Sequence, residues 1–269
     1  MNPPTPDIYA NQPDAAKYGL DAFIPRTLAP ALNAVATDNM DLLLLFAGRE
    51  GLGKTTLATG ILSWCADALD AMLGTIPGGR FPVDNVSVTA ERYIAKSNSS
   101  EPYTCHLYDE AGMELNARRS GAATNVAFNK FLMIARHLNQ VHALCIPDLF
   151  SIDVKVRFRR VTGIFSVYGY TKYVGEAWEI RRGLFDYYSG EDILRIKQNP
   201  LTTVTEWPHV EYEGMRFTEY QDKEYWDKYV TVSKAMKLDE GRKLAREAGG
   251  IRGKKSSRRE PPETEKGEE

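Results

Sequence analysis

A chain of 269 residues with 43% apolar and 26% charged side chains has enough apolar material for a sizeable core, which excludes a disordered protein. Its 34 Lys and Arg nearly balance 36 Asp and Glu, a formal net charge of −2, so no global field advertises a nucleic-acid or membrane partner and any such surface must be local. Cys65, Cys105 and Cys145 are odd in number, widely spaced and set in apolar stretches, which suits buried thiols better than a disulfide framework or a metal cluster. No apolar run approaches the roughly 18 residues of a membrane span, and the N-terminus has Pro and Asp where a secretory signal would be basic and then apolar, so the expectation is a cytoplasmic protein.

Residues 1–38 are rich in Pro, Asn, Asp and Ala, and six prolines read as an irregular arm with a short helix near Ala29 to Ala36. The core, taken as 39–200, opens on Leu42-Leu43-Leu44-Leu45-Phe46-Ala47, an apolar run that reads as a buried strand and empties into Gly48-Arg49-Glu50-Gly51-Leu52-Gly53-Lys54-Thr55. That G-x-x-x-x-G-K-T spacing is a phosphate loop. Gly48, Gly51 and Gly53 let successive N–H groups converge on a triphosphate, with Arg49, Glu50, Leu52 and Thr56 completing the cradle. Lys54 supplies charge to the β- and γ-phosphates, and the Thr55 hydroxyl suits Mg²⁺. ATP and Mg²⁺ are the expected ligands.

From Lys54 to Leu73 apolar residues recur at helical spacing, and Gly74 can stop the helix. Val86 to Val88 reads as a short strand, and Thr89 as the N-cap of a helix to Lys96. Tyr103 to Tyr108 reads as a strand that delivers Asp109-Glu110 at its end, and residues 111–122 as a loop carrying Arg118 and Arg119. Ala127 to Leu138 shows a helical stripe, and Val141 to Ile146 is a strand stopped by Pro147. This alternation predicts an α/β fold with a mainly parallel sheet flanked by helices. Two strands around Gly175 are expected to be antiparallel and at the sheet edge, followed by a short helix from Asp192 to Lys197. Residues 201–248 form an aromatic stretch, irregular to Tyr220, and then a helix. Residues 249–269 read as a disordered tail, with eight Lys or Arg against one Glu from Arg242 to Arg259 and five Glu against one Lys thereafter. Such a basic run is either a solvated tail or an electrostatic hold on nucleic acid.

An acidic pair closing an apolar strand after the phosphate loop is where a nucleoside triphosphatase places its second motif. Asp109 is assigned to Mg²⁺ and Glu110 to the attacking water. A carboxylate there suits hydrolysis that drives motion. Asp148, past the next strand, is placed to sense the γ-phosphate. Arg157, Arg159 and Arg160 compete with Arg118 and Arg119 as an arginine finger offered to a neighbouring subunit; Arg159 and Arg160 are the catalytic assignments carried forward.

Asp109-Glu110-Ala111-Gly112, Asn116-Ala117-Arg118-Arg119-Ser120, Arg136-His137-Leu138-Asn139-Gln140 and Cys145 to Asp153 followed by Arg159-Arg160 together resemble the FtsK–HerA branch of P-loop ATPases. The closer likeness is to the zonula-occludens-toxin-like and viral DNA-packaging members, over about Asp41 to Tyr188. The resemblance implies a RecA-like core and a ring, often hexameric, that moves DNA with ATP. Its implied partners are DNA, further copies of the chain, and a viral portal, capsid or replication protein, in a host cytoplasm or a virion. Rival readings are an AAA+-type replication ATPase or helicase loader, which adds a C-terminal helical lid, a nucleotide kinase, and a non-catalytic assembly protein.

Overall fold

The computed structural model describes residues 12–113, 115, 123–149, 156, 159–175, 177–198, 210, 212–218 and 222–256. Its centre is strand β1 (Leu42–Ala47), which pairs in parallel with β4 (Val141–Ile146) on one side and β5 (Gly163–Val174) on the other. With β2 (Val86–Ser87), β3 (Cys105–Tyr108), β6 (Ala177–Tyr188) and β7 (Tyr212–Arg216), it builds a seven-stranded sheet in the order β2-β3-β4-β1-β5-β6-β7. The strands from β2 to β5 run parallel, whereas β6 and β7 are antiparallel to their neighbours. This is the α/β fold with a mainly parallel sheet flanked by helices that the alternation of elements predicts.

The continuous apolar run of β1 follows from burial on both faces. Leu42, Leu44 and Phe46 join one core with α1 (Phe23–Thr37) and α2 (Lys54–Leu73), while Leu43, Leu45 and Ala47 join a second core with α3 (Ala90–Ser99), α4 (Ala123–Ala135) and α5 (Gly190–Gln198). A strand between two helical layers has no solvent face and so no polar alternation. The three cysteines are buried free thiols in these layers.

Three elements depart from the sequence reading. Residues 12–38 are largely built into the core: α1 is a 15-residue helix that contains both Pro25 and Pro30. Pro25 sits in the first turn, where its missing N–H has no helical partner to lose, and the ladder bond given up at Pro30 is offset by burial of Ile24, Leu28, Leu32 and Val35. The strands around Gly175 are antiparallel to each other as expected, but they do not form the edge. That place belongs to β7, hidden in a stretch read as irregular, because it is five residues long and half exposed. The last helix, α6 (Lys223–Ser256), is capped by Asp222 accepting from the Tyr225 N–H at 2.9 Å and continues past Gly249, where composition reads as disorder. Among the described residues no helix is long and apolar enough to cross a membrane.

Candidate active site

The turn from β1 to α2 brings the phosphate loop to the C-terminal edge of the sheet. Gly48 (φ 150°), Gly51 (φ 75°) and Gly53 (φ 97°) all adopt backbone angles that side chains oppose. At Gly48 there is a steric reason as well: a Cβ would stand 2.1 Å from the Val167 carbonyl oxygen, so the loop is pressed against β5. Gly48→Ala is therefore expected to lower stability by about 1–3 kcal/mol, read as a drop in the urea midpoint, and to weaken nucleotide binding by calorimetry. An unchanged midpoint and affinity would count against this packing.

Lys54 opens α2, and its ammonium donates to the Gly48 and Arg49 carbonyls at 2.7 and 3.0 Å. Thr55, one residue on, donates its hydroxyl to Asp109 Oδ1 at 2.9 Å. That bond ties the phosphate loop to the end of β3. Asp109 is 2% exposed, whereas Glu110 beside it is exposed and sits at φ 61°, a strained left-handed conformation for a glutamate. Beneath them lies Cys145 on β4; burial, and after it the Asp109 charge, pushes its thiol well above the ordinary range, leaving it neutral.

Asp148, exposed past β4, lines a cleft of about 340 Å³ with Gly48, Arg49, Leu52, Ser166 and Tyr168, beside the loop as its sequence position suggested. Arg159 is exposed. Arg160 lies elsewhere: its guanidinium pairs with Asp41 at 2.5 Å, just before β1 and thus at the opposite end of that strand from the phosphate loop. Arg118, Arg119 and Arg157 fall outside the described residues.

Two site residues escape sequence reasoning. Tyr229, buried on α6, donates its hydroxyl to Asp109 Oδ2 at 3.1 Å. Lys237, two turns further, places its ammonium 2.9 Å from Asp109 Oδ2 and 2.6 Å from Glu110 Oε1. Burial alone would lower the Lys237 pKa, but the two carboxylates outweigh it and hold the group above the usual lysine value. Tyr229, Ser233 and Lys237 recur every fourth residue on one helix face, yet the helix is too polar elsewhere for that stripe to stand out.

The Thr55 hydroxyl and Asp109 carboxylate are hard oxygen donors side by side, and an ammonium rests against the acids, so this position favours a cation and fits Mg²⁺. Among the described residues no group of three or more His, Cys, Asp or Glu could hold a metal ion.

No protein-family model and no curated protein matches the chain. Among solved structures it is similar to the N-terminal domain of zonular occludens toxin from Neisseria meningitidis, at 15% identity and a TM-score of 0.41 over 70% of this chain and 98% of that one. It is also similar to the genome packaging NTPase B204 of Sulfolobus turreted icosahedral virus 2, solved with ATP-gammaS, at 12% identity and a TM-score of 0.36 over 58% of this chain and 94% of that one.

Proposed function

We propose that the chain is the ATP-hydrolysing motor of a virus or mobile element, which translocates or packages DNA as a ring of identical subunits. The observation that carries the hydrolytic reading is the Thr55–Asp109 bond, which sets an acidic pair directly against a phosphate loop. The motor and its DNA rest on the sequence resemblance stated above, over Asp109 to Gly112 and Cys145 to Asp153. An AAA+-type loader is less favoured, since β5, β6 and the edge strand follow the core before the single long α6.

In this reading the Lys54 ammonium leaves the Gly48 and Arg49 carbonyls for the β- and γ-phosphates, joined by the loop amides and the open N-terminus of α2. Thr55 and Asp109 would hold Mg²⁺, which neutralises charge on the β- and γ-oxygens when bound. Glu110 orients the attacking water and takes its proton as the water oxygen bonds to the γ-phosphorus and the bond to the bridging oxygen breaks, releasing ADP. Asp148 senses the γ-phosphate side. Arg159, exposed although it adjoins Arg160 in the chain, is kept as the candidate for a finger offered to a neighbouring subunit, because Arg160 is committed to Asp41.

The test is the rate of ATP hydrolysis with and without single- and double-stranded DNA at low salt, beside the mass of the assembly with a non-hydrolysable analogue. Stimulation by DNA and a closed oligomer are expected. If DNA neither binds nor stimulates, the translocase part fails; if ATP is not turned over under any of these conditions, the whole reading fails.

A further inference from the structure

Helix α6 docks on the catalytic acids through one face. Tyr225 packs on Phe81 with ring centroids 5.5 Å apart, and Trp226 on Tyr229 at 5.0 Å. Tyr229 and Ser233 are buried, whereas from Leu238 to Arg246 the residues whose burial is described are exposed apart from Glu240. The part that touches the body of the protein therefore ends on the acidic pair.

Asp109 Oδ1 accepts from Thr55, and Oδ2 accepts from both Tyr229 and Lys237. Glu110 Oε1 is held by the same ammonium. These are the oxygens through which Asp109 would share a divalent cation and Glu110 would hold water. An ammonium there satisfies the acids electrostatically while it blocks both tasks. One positive charge stands where two are needed, and it belongs to the chain itself.

We infer that Lys237 is a tethered counter-cation that keeps the hydrolytic site shut, and that Mg·ATP opens it by displacing Lys237 and releasing the outer part of α6. The inference rests on the reading of Asp109 and Glu110 as the acids of an ATPase and adds its regulation. Binding and release are then linked: whatever Mg·ATP gains by replacing Lys237 is lost to α6 docking, and any partner that holds α6 away raises affinity for Mg·ATP by the same factor. Tyr229 remains as the inner anchor, since its ring is buried among Trp226 and the core whereas Lys237 is 39% exposed.

The experiment titrates Mg²⁺ into full-length protein with a fluorescent, non-hydrolysable ATP analogue, and follows amide exchange of residues 223–245 by mass spectrometry. In the wild type, Mg²⁺ with analogue should speed exchange in the outer part of α6. In Lys237→Met the Mg²⁺ midpoint should fall by at least about tenfold, the scale of one partly desolvated charge pair, and α6 should exchange fast from the start. Lys237→Arg, which keeps the cation, should stay near the wild type. A Mg²⁺ midpoint in Lys237→Met within twofold of the wild type overturns the inference, even if the helix loosens. So does α6 exchange that ignores Mg²⁺ and analogue. Binding of the analogue in EDTA, and its loss in Lys54→Ala, tests the phosphate loop separately: a chain that binds nucleotide but shows no Lys237 effect keeps its site and loses the latch, and one that binds no nucleotide loses both.

Discussion

Glu110→Gln is expected to cut ATP turnover by about 10² to 10⁴-fold, the usual contribution of a positioned general base, while analogue affinity stays the same or tightens. The amide keeps the size and reach of the carboxylate, so water still fits, but it cannot take a proton at neutral pH. Glu110 is exposed and, among the described residues, its ion pair is with Lys237, so the substitution leaves no buried charge unpaired and the fold should not change. Finally, losing the 2.6 Å partner weakens the hold of Lys237, which acts in the direction of tighter Mg·ATP binding. Turnover in the purified variant within tenfold of the wild type would remove Glu110 from the mechanism.

A second large effect concerns acid. His106 on β3 and His142 on β4 face each other in register, with rings stacked at 5.8 Å. Thr104 Oγ1 lies 3.0 Å from His106 Nε2 and the Tyr93 hydroxyl 2.7 Å from His142 Nδ1. Burial, and then the charge of Lys96, pushes His106 down to about 3; burial, His106 and Arg160 push His142 well below its usual value. Both are thus neutral in the fold and take up a proton when unfolded below about pH 6.5. Stability is complete above that pH and falls as pH drops, by about 1.4 kcal/mol per unit for each histidine once the unfolded form is protonated. Asp41, whose carboxyl burial holds above its ordinary range, works the other way, one group against two. Urea midpoints should therefore decline from pH 6.5 to 5, above the ordinary carboxylate range, and His106→Gln should roughly halve the slope. A flat profile across that window would contradict the assignment.

How much of this was legible depended on how far apart the cooperating residues stand. The strand, loop and helix from Leu42 to Leu73 could be read directly, because two-sided burial writes a continuous apolar run and the phosphate loop needs its glycines at fixed spacing. Gly74 ends α2 with φ 84°, and Thr89 caps α3 by accepting from the Arg92 N–H, both as local chemistry suggests. Asp109 could be placed because an acidic pair after an apolar strand is itself a local pattern. Tyr229 could not, since it meets Asp109 across 120 residues of chain and nothing near either residue points to the other. A separation of 119 residues likewise hid the Arg160–Asp41 pair, which turns a candidate finger into a strut below β1. Prolines misled in α1 because packing outweighed propensity there, and β7 was missed because a short edge strand needs little apolar character.

The contact between Gly48 and Val167 gives the β5–β6 hairpin a mechanical meaning. Among the described residues only the base of β5, Gly163 to Ser166, is paired with β1, and the strand then runs on to Val174 with strand partners on the β6 side. At about 3.3 Å per residue, the tip lies roughly 26 Å beyond that base. A rod held at one end has the geometry of a lever: a tilt of about 5° at the base would swing the tip by roughly 2 Å over that length. The exposed Tyr173 and Ile180 ride near the far end, where displacement is greatest.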